Sequence, residues 1–181
     1  MKYLGMLSDS WDVPFAQIDL KQAILYLKGG GVGESLEVKI GEGNLTFTEA
    51  RNIEYMLNRG VLDDVREGDQ IPVDVSFDFK WVYRKGPSSA STASGGTPTV
   101  DDVLKNEGAA ANWTSSDTDT CRPYAVDVEL VYTPDCSTGD IETITLADFR
   151  FESLNSDTSA GTVACSGKCN IRRITAVRTA Q

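Results

Sequence analysis

The amino-acid sequence predicts a mainly β domain with one short α-helix. Two long segments alternate apolar and polar residues with a period of two, and only one segment carries helix signals. The chain has 181 residues, of which 40% are hydrophobic, and this is enough for the packed core of one domain. We therefore expect a single domain over residues 1–181, with strand residues clearly outnumbering helical ones.

The strongest strand signals lie at residues 73–83 and 124–132. In the first segment the odd positions, from Val73 through Trp81, are apolar or aromatic, while most even positions are polar. The second segment repeats this alternation, which is typical of half-buried strands. Shorter β-prone runs are predicted at 23–27, 36–40, 45–48, 53–57, 141–146, 162–165 and 171–177.

The helix is predicted to follow Thr99, which can cap residues 100–106 and is followed by two acids in the first turn. Val100, Val103 and Leu104 share one face, which we expect to pack on the sheets. Residues 85–98 read KGPSSASTASGGTP and predict a mobile surface loop. The glycines at 29–33 fit neither phosphate-loop pattern and predict a hairpin connection.

Composition excludes several classes of function. The chain has no histidine, which removes Ser-His-Asp, Cys-His and HExxH chemistry. Its formal net charge of −10 argues against general nucleic-acid binding, because that affinity depends on Lys and Arg. The acids Asp63, Asp64, Glu67 and Asp69 are interpreted as a solvated loop rather than a metal site. No catalytic residue, metal or cofactor is predicted.

Cysteine usage and the N-terminus predict the compartment. Acids interrupt the apolar residues before position 12, so no secretory signal is expected, and no window approaches the ~20 apolar residues of a membrane span. The four cysteines, at 121, 136, 165 and 169, are therefore predicted to be free thiols in a reducing cytosol. A disulfide and a structural zinc site are the alternatives.

Several segments follow one another in a characteristic order. Residues 44–49 read NLTFTE, and 53–63 read IEYMLNRGVLD and lead into the strand at 73–83. The glycine-rich loop and short helix follow, and further pieces lie at 121–124, 133–136, 148–152 and 166–170. This order resembles the major tail tube protein of long-tailed (siphovirus-type) bacteriophages. The resemblance covers roughly residues 43–170, and its specificity lies in the order of the pieces.

This resemblance implies an antiparallel β-sandwich or partly closed barrel with one short flanking helix. It implies a non-enzymatic virion protein, made in the host bacterial cytoplasm, that forms hexameric rings stacked into the phage tail tube. The tube is a negatively charged conduit for genome ejection, so phage DNA passes without specific binding. Implied partners are copies of itself, the tape measure protein, the tail terminator and baseplate or distal tail proteins, with no membrane.

Two sets of residues are candidates for tube functions. An acidic lumen repels DNA, and the polar faces of the two long strands are candidates to line it: Asp74, Ser76, Asp78, Lys80, Asp127 and Glu129. A projecting loop region at 43–70 is the candidate inter-ring contact, through Arg51, Glu54, Arg59, Asp63, Asp64, Arg66 and Glu67. The polar faces can equally look onto outer solvent. An N-terminal arm at 1–20 packs on its own subunit or on a neighbour.

Two other classes of function remain open at this stage. A monomeric β-sandwich binding module, for a carbohydrate or a protein ligand, predicts exposed aromatic residues on one face. A carboxylate-dependent glycosidase predicts a deep pocket that contains two acids with raised pKa values.

Overall fold

A computed structural model describes residues 23–40, 45–81, 98–133 and 140–179. It is mainly β, as predicted, with antiparallel sheets and one short helix. The strands are β1 (Ala23–Lys28), β2 (Ser35–Val38), β3 (Leu45–Thr48), β4 (Ile53–Asn58), β5 (Val61–Glu67), β6 (Val73–Lys80), β7 (Val126–Tyr132), β8 (Ile141–Asp157), β9 (Thr162–Cys169) and β10 (Thr175–Thr179). The helix α1 spans Val100–Lys105 and precedes a 3₁₀ turn at Gly108–Ala110.

Eight strands form one antiparallel sheet, in the order β2-β1-β7-β8-β9-β6-β3, with β10 pairing to β8. The sheet is not closed into a barrel, and the architecture is consistent with a β-sandwich. The end of β6 nevertheless contacts the residue that follows β2, since the Lys80 N–H donates to the Lys39 carbonyl at 3.1 Å. Strands β4 and β5 form a separate two-stranded sheet.

The two long predicted strands correspond to β6 and β7, and their alternation is confirmed. The odd positions of β6 from Val73 to Phe79 are buried, and Phe77 packs against Phe149 of β8 with ring centroids 5.8 Å apart. The assignment of Trp81 to the core face is wrong: β6 ends at Lys80, and Trp81 is 58% exposed. One side of each strand therefore faces the core and the other faces away from it.

Strand β8 is much longer than the predicted run at 141–146. It has two register shifts, one opposite Asp127 of β7 and one opposite β9 near Glu152. Asp148 lies in the first bulge with a φ of 55°, and its N–H donates to the Asp127 carboxylate at 2.9 Å. Because each bulge inserts a residue, the period-two pattern is interrupted there, and the sequence pattern shows only the first part of the strand.

The helix begins as predicted. The Thr99 side chain accepts the Asp102 N–H, and the Asp102 carboxylate accepts the Thr99 N–H, which makes a capping box. Val103 and Leu104 are buried, and Val100 packs against the core. The glycine-rich connection at 29–33 joins the antiparallel strands β1 and β2, which confirms the predicted hairpin.

Several expectations lie outside the described residues. These are the N-terminal arm at 1–20, the loop at 85–97 and Cys136. Within the described ranges, Cys121, Cys165 and Cys169 are free thiols, and burial raises the pKa of Cys165 and Cys169 to about 12. None of the helices in the described part of the chain has the length and apolar character to span a membrane.

Candidate assembly surface

The outward side of β6 joins a polar surface that extends over β3, β9 and β8. Asp74, Ser76, Asp78 and Lys80 all lie on this side, because the residues between them are buried. Hydroxyl groups cross the sheet in one row, in which Thr46 and Ser76 hydrogen bond at 2.6 Å and Ser153 and Ser166 at 2.8 Å. Four of the six predicted lumen residues therefore share one surface.

The charge of this surface is mixed rather than uniformly acidic. Asp74 lies opposite Lys168 of β9, with carboxylate and ammonium 3.8 Å apart, and Lys168 lies opposite Arg150 of β8. These cations were not part of the sequence-based prediction. Three cations, Lys80, Lys168 and Arg150, offset the carboxylates of Asp74, Asp78 and Glu152. The net charge of the whole chain therefore does not describe this surface.

Asp127 and Glu129 lie on the same side of the sheet, farther along it on β7. The Glu129 carboxylate forms an ion pair with Lys28 of β1 at 2.6 Å. The Asp127 carboxylate accepts the Asp148 N–H in the bulge of β8. Each carboxylate therefore has a partner within the chain, and Asp127 has a structural role in shaping the bulge.

The β4–β5 hairpin stands apart from the main sheet. Its two strands pair only with each other, and they are joined by Arg59 and Gly60, which have φ values of 52° and 82°. Positive φ at both central residues is the signature of a type I′ turn, whose twist suits a two-residue hairpin connection. The seven residues of β5 span about 23 Å at ~3.3 Å per residue.

This hairpin has one apolar face and one mainly polar face. Residues directly opposite in an antiparallel pair share a face, and the register is Ile53–Glu67, Glu54–Arg66, Tyr55–Val65, Met56–Asp64, Leu57–Leu62 and Asn58–Val61. The shift between Met56 and Leu57 leaves Asp63 as the extra, bulged residue. Without that bulge Leu62 and Val65 would lie on opposite faces. The apolar face therefore consists of Ile53, Tyr55, Leu57, Leu62 and Val65, with Glu67 opposite Ile53 at its base.

The apolar face is exposed along its whole length. Tyr55, Leu57 and Leu62 are 61%, 64% and 66% exposed, and Ile53 and Val65 are also exposed. Isolated two-stranded hairpins are marginally stable in water, and contiguous exposed apolar surface marks an interaction site. In the described part of the chain, this face is therefore the candidate interaction surface. We call the hairpin residues 53–67 the assembly hairpin.

The predicted inter-ring residues all lie in or beside the assembly hairpin. The segment is not a loop, however: part of 43–70 is strand β3 of the main sheet, and 53–67 is the hairpin. Asp63, Asp64 and Glu67, interpreted from sequence as loop acids, lie on strand β5, and the described residues hold no cluster suited to a metal ion. Two of the seven are ion-paired within the hairpin, since Arg66 contacts Glu54 at 2.6 Å.

Polar contacts fix the base of the assembly hairpin. The Gly68 N–H donates to the Asn52 carbonyl at 2.9 Å and closes the base. Glu67 forms an ion pair with Arg172, and the Glu49 carboxylate accepts the Ile174 N–H. Because Arg172 and Ile174 lie in the connection from β9 to β10, these contacts hold the base of the hairpin beside that connection.

A buried carboxylate, Asp117, organises the loop before β7. Its side chain is 6% exposed, and its Oδ2 lies 2.6 Å from Arg150 Nη2 and 3.3 Å from Arg122 Nη1. The Asp119 N–H and the two guanidinium groups hold the pKa of Asp117 below its usual range. Burial and the nearby carboxylates of Asp117 and Asp127 raise the pKa of Asp148.

Two of the cavities in the described part of the chain adjoin the polar surface around β6. The larger, of ≈ 400 Å³, is lined by Arg122, Arg150 and Lys168 with one carboxylate, that of Glu152. The second, of ≈ 270 Å³, lies over the hydroxyl row and includes Asp74 and Glu152. Asp148, the acid whose pKa is raised by burial, lines neither cavity.

Comparisons with known proteins show a coarse likeness of fold to a solved structure. No family model and no curated protein matches the chain. A chain in a structure described as "Cryo-EM structure of the anti-feeding prophage (AFP) baseplate, 6-fold symmetrised" is similar at a TM-score of 0.40 and 9% sequence identity, covering 86% of this chain and 92% of that chain. A likeness of this size concerns the outline of the fold alone.

The sequence-based prediction found the charged residues of the hairpin but missed its apolar face. The turn formed by Arg59 and Gly60 is the signal that could have revealed it, since a two-residue connection containing glycine between two β-prone runs predicts a hairpin. The bulge at Asp63 breaks the alternation of β5, which is why the strand was not predicted.

Proposed function

We propose that this chain is a structural, non-enzymatic protein that assembles with copies of itself as hexameric rings stacked into a phage tail tube. The proposal takes its architecture from the sequence resemblance to tail tube proteins. The observation that carries it is the assembly hairpin, whose apolar face is exposed along its length. A folded subunit with this feature is suited to polymerisation, because association covers a surface that the isolated subunit leaves in water.

The energetics favour association once several copies combine. Full burial of a leucine side chain stabilises by about 1.5–3 kcal/mol. Leu57 and Leu62 are each about two-thirds exposed, so covering them contributes about 1–2 kcal/mol per residue at each contact. A closed ring repeats the same contact between every pair of neighbours, and a stack of rings multiplies it.

In the proposed tube, the polar surface around β6 faces the bore. Asp74 and Asp78 supply its negative charge, and the hydroxyl row supplies hydrogen-bonding groups without net charge. The ion pair of Asp74 with Lys168 makes this lining less acidic than the whole chain. Weak, sequence-independent contacts suit a duplex that must slide through without binding.

Site-directed changes on the two faces of the assembly hairpin test the proposal. We expect the double variant Leu57→Ser/Leu62→Ser to remain folded, because both side chains are exposed in the subunit, and to form no tubes. Met56→Ser is the matched control: Met56 is 47% exposed but lies on the opposite face. Negative-stain electron microscopy after long incubation or co-expression with initiating tail proteins measures filaments with a central channel.

Three results decide between the proposed and the alternative functions. Hollow filaments from the unmodified chain and from Met56→Ser, but not from the double variant, support the proposal. Filaments that persist in the double variant show that the apolar face does not mediate assembly. Discrete monomers that retain or hydrolyse an oligosaccharide contradict a tube function and favour a binding module or a glycosidase.

A further inference from the structure

Among the described strands, β3 ends the main sheet. It pairs with β6 on one side, and no described strand pairs with its other side. Natural proteins commonly protect such edges with charged residues or proline. The other end strand, β2, contains Glu37, whereas β3 reads LTFT and has no charge within its bounds, and the first charge after it is Glu49. An edge of this kind is suited to pairing with a further strand.

The two faces of β3 differ in polarity. Leu45 and Phe47 lie opposite Phe77 and Val75, two buried residues of β6, and therefore lie on the core side of the sheet. Thr46 and Thr48 lie on the outward side, opposite Ser76 and Asp74. Phe47 is 40% exposed although it lies on the core side, because the sheet ends beside it.

The assembly hairpin has the complementary features. Each of its strands pairs on one side only, and no described strand pairs with the backbone edge on its other side. Its apolar face matches the core side of β3, and its polar face, with Glu54 and Arg66, matches the outward side. A hairpin added to β3 in this orientation would cover Phe47 and extend the core side of the sheet.

The base of the chain's own hairpin is attached on the β9 side of β6. Glu67 pairs with Arg172, and the Glu49 carboxylate accepts the Ile174 N–H, in the connection from β9 to β10. That connection follows β9, which pairs with β6 on the side opposite to β3. The contacts at the base therefore lie on the other side of β6 from the free edge of β3.

We propose that the assembly hairpin of a second copy of this chain adds to the free edge of β3 and extends the main sheet across the subunit boundary. The inference rests on the proposed function and specifies the contact that assembly uses. Backbone hydrogen bonds give the contact its strength, and the match of apolar and polar faces sets which way the hairpin lies.

Cysteine cross-linking between differently tagged chains tests this contact. All chains carry serine in place of Cys121 and Cys136. A Thr46→Cys chain is mixed with a Met56→Cys chain, which reports pairing through β4. In a second mixture it is combined with an Asp64→Cys chain, which reports pairing through β5. The matched control replaces Thr46→Cys with Glu37→Cys on the other end strand. Mass spectrometry of oxidised tubes measures the cross-linked heterodimer.

For one of the two hairpin positions, Met56 or Asp64, we expect at least tenfold more cross-linked heterodimer with the Thr46→Cys chain than with the Glu37→Cys control. Tubes that form without this cross-link overturn the inference and leave the proposed function standing. Failure of the unmodified chain to form tubes overturns both. A cross-link that forms within one chain of a double variant, in monomers, shows that the hairpin folds back on its own β3.

Proline substitutions give a second readout of the same edge. Adjacent strand residues direct their N–H groups to opposite sides, so one of Thr46→Pro and Phe47→Pro removes a bond to β6 and the other removes only a free N–H. The variant that retains the circular dichroism spectrum and melting temperature of the parent is expected to lose tubes at least tenfold. Thr46→Val and Phe47→Leu, which keep the N–H, are controls. Normal tube yield from the tolerated proline variant contradicts pairing at this edge.

Discussion

At the scale of single residues, two carboxylates near the start of β7 have opposite effects on stability. Asp117 is buried between two guanidinium groups, and its pKa is lowered in the folded chain. Asp148 loses hydration in the β8 bulge and lies near other carboxylates, and its pKa is raised. A lowered pKa stabilises the fold above the ordinary carboxyl pKa of ~3.9, and a raised pKa destabilises it there.

Neutralising each carboxylate should therefore shift stability in opposite directions. At pH 7 we expect Asp117→Asn to lower the melting temperature and Asp148→Asn to leave it unchanged or raise it, since asparagine also tolerates the φ of 55°. The deficit of Asp117→Asn should shrink only as the pH falls below about 4, toward the lowered pKa of Asp117 in the folded chain. The advantage of Asp148→Asn should already shrink as the pH falls toward about 4, because the pKa of Asp148 is raised and it takes up a proton first.

Thermal unfolding of the three chains between pH 3 and pH 7 measures both effects, and each variant serves as the control for the other. If the melting temperatures of both variants differed from that of the parent by the same amount at every pH, the pKa shifts assigned to Asp117 and Asp148 would be contradicted.

Gly167 is required by a close approach of two strands. A Cβ at this position would lie 2.1 Å from the Arg150 carbonyl oxygen and 2.8 Å from the Phe151 Cα, both of which are backbone atoms. We expect Gly167→Ala to lower the free energy of unfolding by about 1–3 kcal/mol or more. The control is Gly161→Ala, which has open space around its Cβ and only the strain of a φ of 64°. Urea unfolding that gives equal losses for both would contradict the packing argument.

At the scale of elements, the assembly hairpin and the main sheet should have different local stabilities. Every apolar side chain on the hairpin's apolar face is exposed, whereas β6 and β9 have buried residues at alternate positions. In the monomer we expect amides of 53–67 to exchange hydrogen at least a hundredfold faster than those of 73–80, because local opening there exposes little additional surface. In tubes, the hairpin amides should become protected.

Hydrogen exchange followed by mass spectrometry measures this difference in both states. Hairpin amides that stay unprotected in tubes would show that the hairpin is not part of the contact. The variant Gly60→Val, which forces a β-branched residue to a φ of 82°, is expected to speed hairpin exchange in the monomer and leave the exchange of β6 unchanged.

Which elements could be predicted depends on how regular their pattern is. β6 and β7 are uninterrupted over their buried spans, so period-two alternation identifies them. β5 and the second part of β8 contain bulges at Asp63 and near Glu152, and a bulge shifts the alternation by one residue. β9 was predicted only in its first part because Gly167 and Lys168 lack the apolar character of strand residues. The unpredicted parts of β5, β8 and β9 are fixed as strands by pairing with other strands rather than by their own sequence pattern.

At the scale of the whole molecule, the candidate site was predicted in part. The charges of the hairpin and the polar side of β6 follow from local sequence, because each lies on one strand or hairpin. The cations Lys168 and Arg150 join Asp74 only through strand pairing between distant segments. The sequence alone therefore overestimates how acidic this surface is.

The lumen hypothesis makes a prediction for the assembled particle. If Asp74 and Asp78 line the bore, replacing both with lysine should leave tubes intact, because neither contacts the assembly hairpin through strand pairing, while DNA delivery falls by at least tenfold. Lysines in the bore would bind the phosphate backbone. Tube length reports assembly and infectivity reports DNA delivery, and both are measured on the same particles. Normal infectivity with both lysines present would remove these residues from the lining.

The most direct test of the central claim is a three-dimensional reconstruction, by cryo-electron microscopy, of the filaments that the purified chain forms. The account predicts a hollow six-fold tube in which residues 53–67 of each copy contact a neighbouring copy and Asp74 faces the channel. A reconstruction in which the hairpin projects freely into solvent, or a preparation in which the chain stays monomeric beside competent initiating proteins, would contradict it.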